Sequence, residues 1–134
     1  MQRFLSWLKQ LFNPPSLGAR GESLAALHYQ AKGAEVLGRN WRCGRDELDL
    51  IVLERGVLVF VEVKTRTAEE AGAGRRAVDA RKRRALRRAA AAWLRSIGGA
   101  PHVRFDLIEV LVCHSLPPRI VQHVGVSLLR PRRT

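Results

Sequence analysis

The stretch Asp46–Lys64, D-E-L-D-L-I-V-L-E-R-G-V-L-V-F-V-E-V-K, decides the fold of this 134-residue chain. Two apolar, β-branched runs flank Glu54-Arg55-Gly56, the pattern of a β-hairpin. If Arg55-Gly56 alone forms the loop, Leu53 faces Leu58, Ile51 faces Phe60, Asp49 faces Glu62 and Glu47 faces Lys64. Side chains alternate with a period of two, so all four polar groups then share one face. A two- or four-residue loop keeps Asp49 beside Glu62, whereas a three-residue loop separates them. Arginine is not a usual first residue of a tight primed turn, which leaves the longer loop open. The opposite face carries Leu48, Leu50, Val52, Val57, Val59, Val61 and Val63, and Ile51, Leu53, Leu58 and Phe60 lie on the polar face. Apolar residues on both faces predict a central, covered hairpin.

Directly opposed residues have Cβ atoms about 4.5–5.5 Å apart, and like charges placed there destabilise a sheet. Such a pair calls for a cation between its members. Two carboxylates, a backbone carbonyl and waters would form an oxygen-rich site suited to Mg²⁺ or Mn²⁺. The competing reading is a solvated polar edge in which Glu47 and Lys64 form an ordinary ion pair.

Composition narrows the classes. The chain is 46% hydrophobic, suited to one compact domain, and no apolar run approaches the roughly 20 residues of a membrane span. A secretory leader pattern is absent at the N-terminus, so a cytoplasmic setting is the expectation. Cys43 and Cys113 are too few and too far apart for a zinc motif, and His28, His102, His114 and His123 show no ligand spacing. The net charge of +12 is concentrated: nine basic residues fall between Arg75 and Arg95 against one acid, Asp79. That density favours a polyanion, with DNA as the leading partner. An arginine-rich but merely solvated helix is the alternative.

Working outward, residues 1–13 place Phe4, Leu5, Trp7, Leu8, Leu11 and Phe12 at helical spacing before Pro14-Pro15. Packing or self-association is preferred for this segment over membrane contact. Gly21 to Gly33 reads as an alanine-rich helix with Glu22 in its first turn, on the stripe of Ala25, Ala26 and Tyr29. Glu22 is either a helix-dipole partner or a neighbour of the carboxylates. Ala34–Trp41 reads as a strand, Thr65–Gly74 as a loop, and Val78–Ile97 as a long helix ended by Gly98-Gly99. Arg84, Arg88 and Arg95 are expected to project outward, whereas Lys82 falls on the inward stripe, unusual unless it points at an anion. Val103–Val112 and Arg119–Val126 read as further strands, with Asp106 facing solvent or an arginine. The organisation is an N-terminal amphipathic helix (1–15), one domain (16–126) and a basic tail (127–134).

These motifs carry a resemblance. Gly18-x-x-Gly21-Glu22, Asn40-Trp41-Arg42, Glu47-Leu48-Asp49-Leu50-Ile51, Val59-Phe60-Val61-Glu62-Val63-Lys64-x-Arg66, Ala77-Val78, Lys82 and Arg104-Phe105-Asp106 resemble the restriction-endonuclease-like, PD-(D/E)xK nuclease superfamily. More closely, the chain is similar to the YraN-like family of small bacterial proteins, itself similar to archaeal Holliday-junction resolvases. The resemblance spans roughly residues 17–110. It implies an α/β fold with a mixed central sheet flanked by helices. Asp49, Glu62 and the Val63 carbonyl would bind the metal and Lys64 would stand beside the scissile phosphate. Glu22 would be the acid contributed by the first helix, and Lys82 the polar residue of the later one. Where the family commonly has glycine, this chain has Asp46, an added carboxylate that could compete for metal.

The expectation is therefore a Mg²⁺- or Mn²⁺-dependent endonuclease-like hydrolase acting on DNA, with the resolvase likeness implying branched or junction substrates. Lys82, Arg66, Arg75, Arg76, Arg83, Arg84, Arg87 and Arg88 would grip phosphates. Symmetric cutting of two strands would call for a homodimer. The rival expectation is a non-catalytic nucleic-acid-binding protein that keeps a nuclease fold.

Overall fold

A computed structural model describes residues 16–67, 80–113 and 115–127. Its elements, in chain order, are α1 (Leu17–Ala31), β1 (Glu35–Cys43), β2 (Asp46–Glu54), β3 (Val57–Thr67), α2 (Ala80–Ile97), β4 (Val103–Cys113) and β5 (Leu116–His123). The amphipathic segment 1–13, Arg75, Arg76, Ala77, Val78, His114 and the basic tail lie outside the described residues.

The five strands form one sheet in sequence order, β1-β2-β3-β4-β5. All neighbours are antiparallel except β3 and β4, which run parallel. A parallel pair needs a crossover connection, and α2 lies within it. The fold is α/β, a mixed sheet with a helix packed on each face.

The decisive hairpin has the two-residue loop. Leu53 pairs with Leu58, Ile51 with Phe60 and Leu50 with Val61. Arg55 (φ 49°) and Gly56 (φ 78°) both adopt left-handed backbone, the geometry of a type I′ turn. Glycine takes the second position without strain and arginine tolerates the first.

Two cores result. On one face Ala25, Ala26 and Tyr29 of α1 cover Leu50, Val52, Val59, Val61, Ile108 and Val110. On the other, Leu86, Ala89 and Ala90 of α2 cover Ile51, Leu58, Phe60 and Leu107. Leu48 packs in this second cluster, not on the Leu50 face that strict alternation predicts. Between the pairs Arg39–Leu50 and Trp41–Leu48 lies Asn40, whose φ of 50° breaks the regular run of β1.

The first helix starts earlier than its sequence pattern suggests. Ser16 caps it by accepting the Ala19 N–H at 3.2 Å, which puts Glu22 in the second turn instead of the first. Gly33 (φ 85°) stops it as expected. Gly21 has a separate role: a Cβ there would collide with Thr65 Oγ1, so its bare backbone lets α1 rest on β3.

β1 runs to Cys43 and β5 begins at Leu116, so Pro117 and Pro118 lie inside β5. Proline is tolerated because β5 is an edge strand.

Candidate carboxylate site

Continuing the β2–β3 register places Asp49 opposite Glu62, but the backbone ladder stops at Leu50 and Val61. Beyond it, the Asp49 side chain substitutes for a backbone acceptor: the Val63 N–H donates to Asp49 Oδ2 at 2.9 Å. In an extended strand the N–H and C=O of one residue point to the same side. The Val63 carbonyl therefore faces the same opening as the two acids.

The electrostatics are those of crowded acids in a dry place. Glu62 is only 5% exposed. Burial, then the Glu62 carboxylate, push the Asp49 carboxyl up to about 7; the Val63 N–H opposes the rise and Glu22 adds to it. Glu62 Oε1 is met by Lys82 Nζ at 3.2 Å and Lys64 Nζ at 3.4 Å. Its other oxygen, Oε2, is buried with no hydrogen-bond partner.

The like-charge pair is thus offset in two ways that need no bound ion: two ammonium groups on Glu62, and an Asp49 carboxyl whose proton is held toward neutrality. The expectation that only a metal would make the pair tolerable is corrected by these contacts. Lys82, read as pointing at an anion, points at Glu62. Glu22 is half-buried and acts on Asp49 through space. Among the described residues no three His, Cys, Asp or Glu side chains form a metal-ligating group. A divalent ion would instead use two carboxylates and one carbonyl. That set fits a hard cation, because all its donors are oxygens and Glu62 Oε2 is a buried acceptor without a donor.

Several other expectations change. Glu47 does not pair with Lys64; it lies 3.8 Å from Arg42 of β1. Asp46 does not turn to the metal side: Arg88 grips it through Nε at 3.1 Å and Nη2 at 3.0 Å. That hydrogen-bonded guanidinium holds the Asp46 carboxyl below its usual value. Arg88 is consequently a clasp between α2 and β2, not a freely projecting phosphate ligand. Arg84 is exposed, Arg66, Arg83 and Arg87 are half-buried, and the Nε atoms of Arg66 and Arg83 have no hydrogen-bond acceptor.

Asp106 does not face solvent. It is 2% exposed and accepts from Tyr29, Arg104, Gln122 and the Gly125 N–H, so of the two expectations the arginine partner holds. Arg104 also bonds Glu54 at 2.9 Å. The sequence reading also missed the buried Glu109 and its 2.8 Å hydrogen bond to His123. A charged residue in an otherwise apolar strand was the available signal.

Residues 21–110 match the Uncharacterised protein family UPF0102. The chain belongs to that family. Its relatives include UPF0102 proteins of Frankia casuarinae, 46% identical over 113 residues (81% of this chain, 92% of the relative), and of Rhodococcus jostii, 44% over 110 residues (81% and 92%). One from Mycobacterium marinum is 45% identical over 114 residues (83% and 93%). UPF0102 is the YraN family, so the family likeness drawn from the motifs holds. The matched span contains Glu22, Asp49, Glu62, Val63, Lys64 and Lys82, the residues of the carboxylate site.

Proposed function

We propose that this UPF0102 chain is a metal-dependent nuclease that hydrolyses phosphodiester bonds of DNA. The observation that carries the reading is Glu62 Oε2, a buried carboxylate oxygen without a partner, beside an Asp49 that burial and charge hold near neutrality. A buried acceptor left unpaired is destabilising, and functional sites are where folds tolerate that. Asp49, Glu62 and the Val63 carbonyl would hold Mg²⁺ or Mn²⁺, which would supply a polarised phosphoryl oxygen and a water of lowered pKa.

The chain's own residues do the rest. Lys64, which meets Glu62 Oε1 at 3.4 Å, would stabilise charge on the scissile phosphate. Asp49 keeps Val63 oriented through its hydrogen bond. Exposed Arg84 and the half-buried Arg66, Arg83 and Arg87 would contact neighbouring phosphates without reading sequence. The two exposed cysteines remain free thiols, which suits a reducing cytosol. No described helix is long and apolar enough to cross a membrane.

A second reading has its own observation. Because Lys64 and Lys82 neutralise Glu62 internally, the acids could persist in a non-catalytic protein that binds nucleic acid through the same fold. The experiment that separates them is a Mg²⁺/Mn²⁺ cleavage screen over branched and linear DNAs beside the Glu62→Ala protein. The nuclease reading expects cleavage by the parent, none by the variant, and binding by both. Salt-sensitive binding with no metal-dependent cleavage of any substrate would leave the second reading standing.

A further inference from the structure

We propose that Lys82 is a built-in counter-ion for Glu62, displaced when a divalent cation binds and then available to the substrate phosphate, so that metal and nucleic acid bind cooperatively. The inference rests on the nuclease reading above. It starts from the unequal use of the two Glu62 oxygens. Oε1 carries both ammonium groups, at 3.2 and 3.4 Å, while Oε2 carries no hydrogen bond at all. A divalent ion on Oε2 would sit within a carboxylate's width of two positive charges. Like charges at that separation repel strongly in a low-dielectric pocket, so one of them must yield.

The two lysines are not equivalent. Lys64 extends from β3, whose backbone there is paired with Glu109 of β4. Lys82 comes from the first turn of α2, with 38% of its side chain exposed. A four-carbon stem rooted at a helix end can swing its ammonium several ångströms without disturbing the core. Leaving Glu62, Lys82 would carry a compact positive charge toward the side from which a phosphate approaches. Metal would thereby strengthen phosphate binding through a lysine as well as through its own charge. Linkage makes the effect reciprocal: phosphate that captures Lys82 tightens the metal by the same factor.

The test uses the full chain. Mn²⁺ binding without nucleic acid is measured by calorimetry and by electron paramagnetic resonance for the parent, Lys82→Met, Lys82→Gln, Arg81→Met and Glu62→Gln. Arg81→Met removes the same charge from the exposed neighbouring position. Removing the internal competitor is expected to tighten Mn²⁺ roughly 5-fold in both Lys82 variants, with less than about 2-fold in Arg81→Met. In parallel, the gain in affinity for a short duplex on replacing EDTA with Ca²⁺, read by fluorescence anisotropy, should shrink in the Lys82 variants. Equal Mn²⁺ affinity in the Lys82 and Arg81 variants, or an undiminished Ca²⁺ gain, overturns the counter-ion role and leaves the nuclease reading intact. Identical Mn²⁺ uptake by the parent and Glu62→Gln sinks the carboxylate site itself.

Discussion

Asp49 and Asp106 are aspartates on strands of the same sheet, and the fold treats them in opposite ways. Asp106 receives five hydrogen bonds: from the Tyr29 hydroxyl at 2.7 Å, Arg104 Nε at 3.1 Å and Nη2 at 3.2 Å, Gln122 at 3.1 Å and the Gly125 N–H at 3.1 Å. Burial pushes its carboxyl up, but these donors, Arg104 foremost, outweigh burial and hold it below the usual range. Burial and the hydrogen bond to Asp106 in turn push the Tyr29 hydroxyl up. Asp49 takes the Val63 N–H and otherwise faces acids, so its carboxyl rises to about 7. A buried acid surrounded by donors is scaffold, tying α1, β4 and β5 together. A buried acid short of donors is capacity held for something else.

Breaking the scaffold side should have the largest effect. Asp106→Ala leaves Arg104 and Tyr29 without their shared acceptor, and a loss of about 3–5 kcal/mol in chemical denaturation is expected. Because the folded value of Asp106 is depressed, its stabilisation is complete above the ordinary aspartate range. It is lost as acid protonates the group below that range, so the variant should lose part of the parent's acid-unfolding transition.

Next in size is the helix contact beside the site. Gly21→Ala would drive a methyl group into Thr65, and about 1–3 kcal/mol of stability should go with it. A larger spacing of Glu22 from Asp49 should accompany the loss, visible as a lower Asp49 titration midpoint by carbon-detected NMR.

Asp49→Asn sharpens the comparison in the other direction. Asparagine still accepts the Val63 N–H through its carbonyl, but removes a charge from the crowded pair. The folded value near 7 lies above the unfolded 3.8, so ionising Asp49 costs stability as pH rises through that window. The variant should be more stable than the metal-free parent by about 1–3 kcal/mol at pH 8, with the difference fading toward pH 4. Thermal melts across that range check it. Equal pH profiles would mean Asp49 is already satisfied. The smallest effect is expected from Arg88→Ala, since the Asp46 pair it breaks is at the surface; its melting temperature should move less than that of Asp49→Asn.

Much of the site was readable in the chain because it depends on local rules. Arg55-Gly56 set the register, and its continuation past the last ladder pair brings Asp49 near Glu62. The glycine at 33 ended α1, and the inward position of Lys82 marked an anion that proved to be Glu62. What was hidden depended on distant partners. Nothing near Asp106 in sequence announces Tyr29 or Gln122, and nothing near Asp46 announces Arg88. Leu48 defeats simple alternation beside the left-handed Asn40, a backbone departure that a period-two pattern does not encode. The early start of α1 was obscured by Gly18 and Gly21, both poor helix formers, of which Gly21 is required by the close approach of Thr65.

The borders of the sheet have a consequence for assembly. One border carries Pro117-Pro118, and the other is interrupted by a bulge between Val36 and Gly38 and by left-handed Asn40. Neither offers an unbroken row of backbone donors to a foreign strand. Concentrated samples should therefore resist fibrous polymerisation through strand addition, and two copies that meet would have to do so through helices, loops or sheet faces.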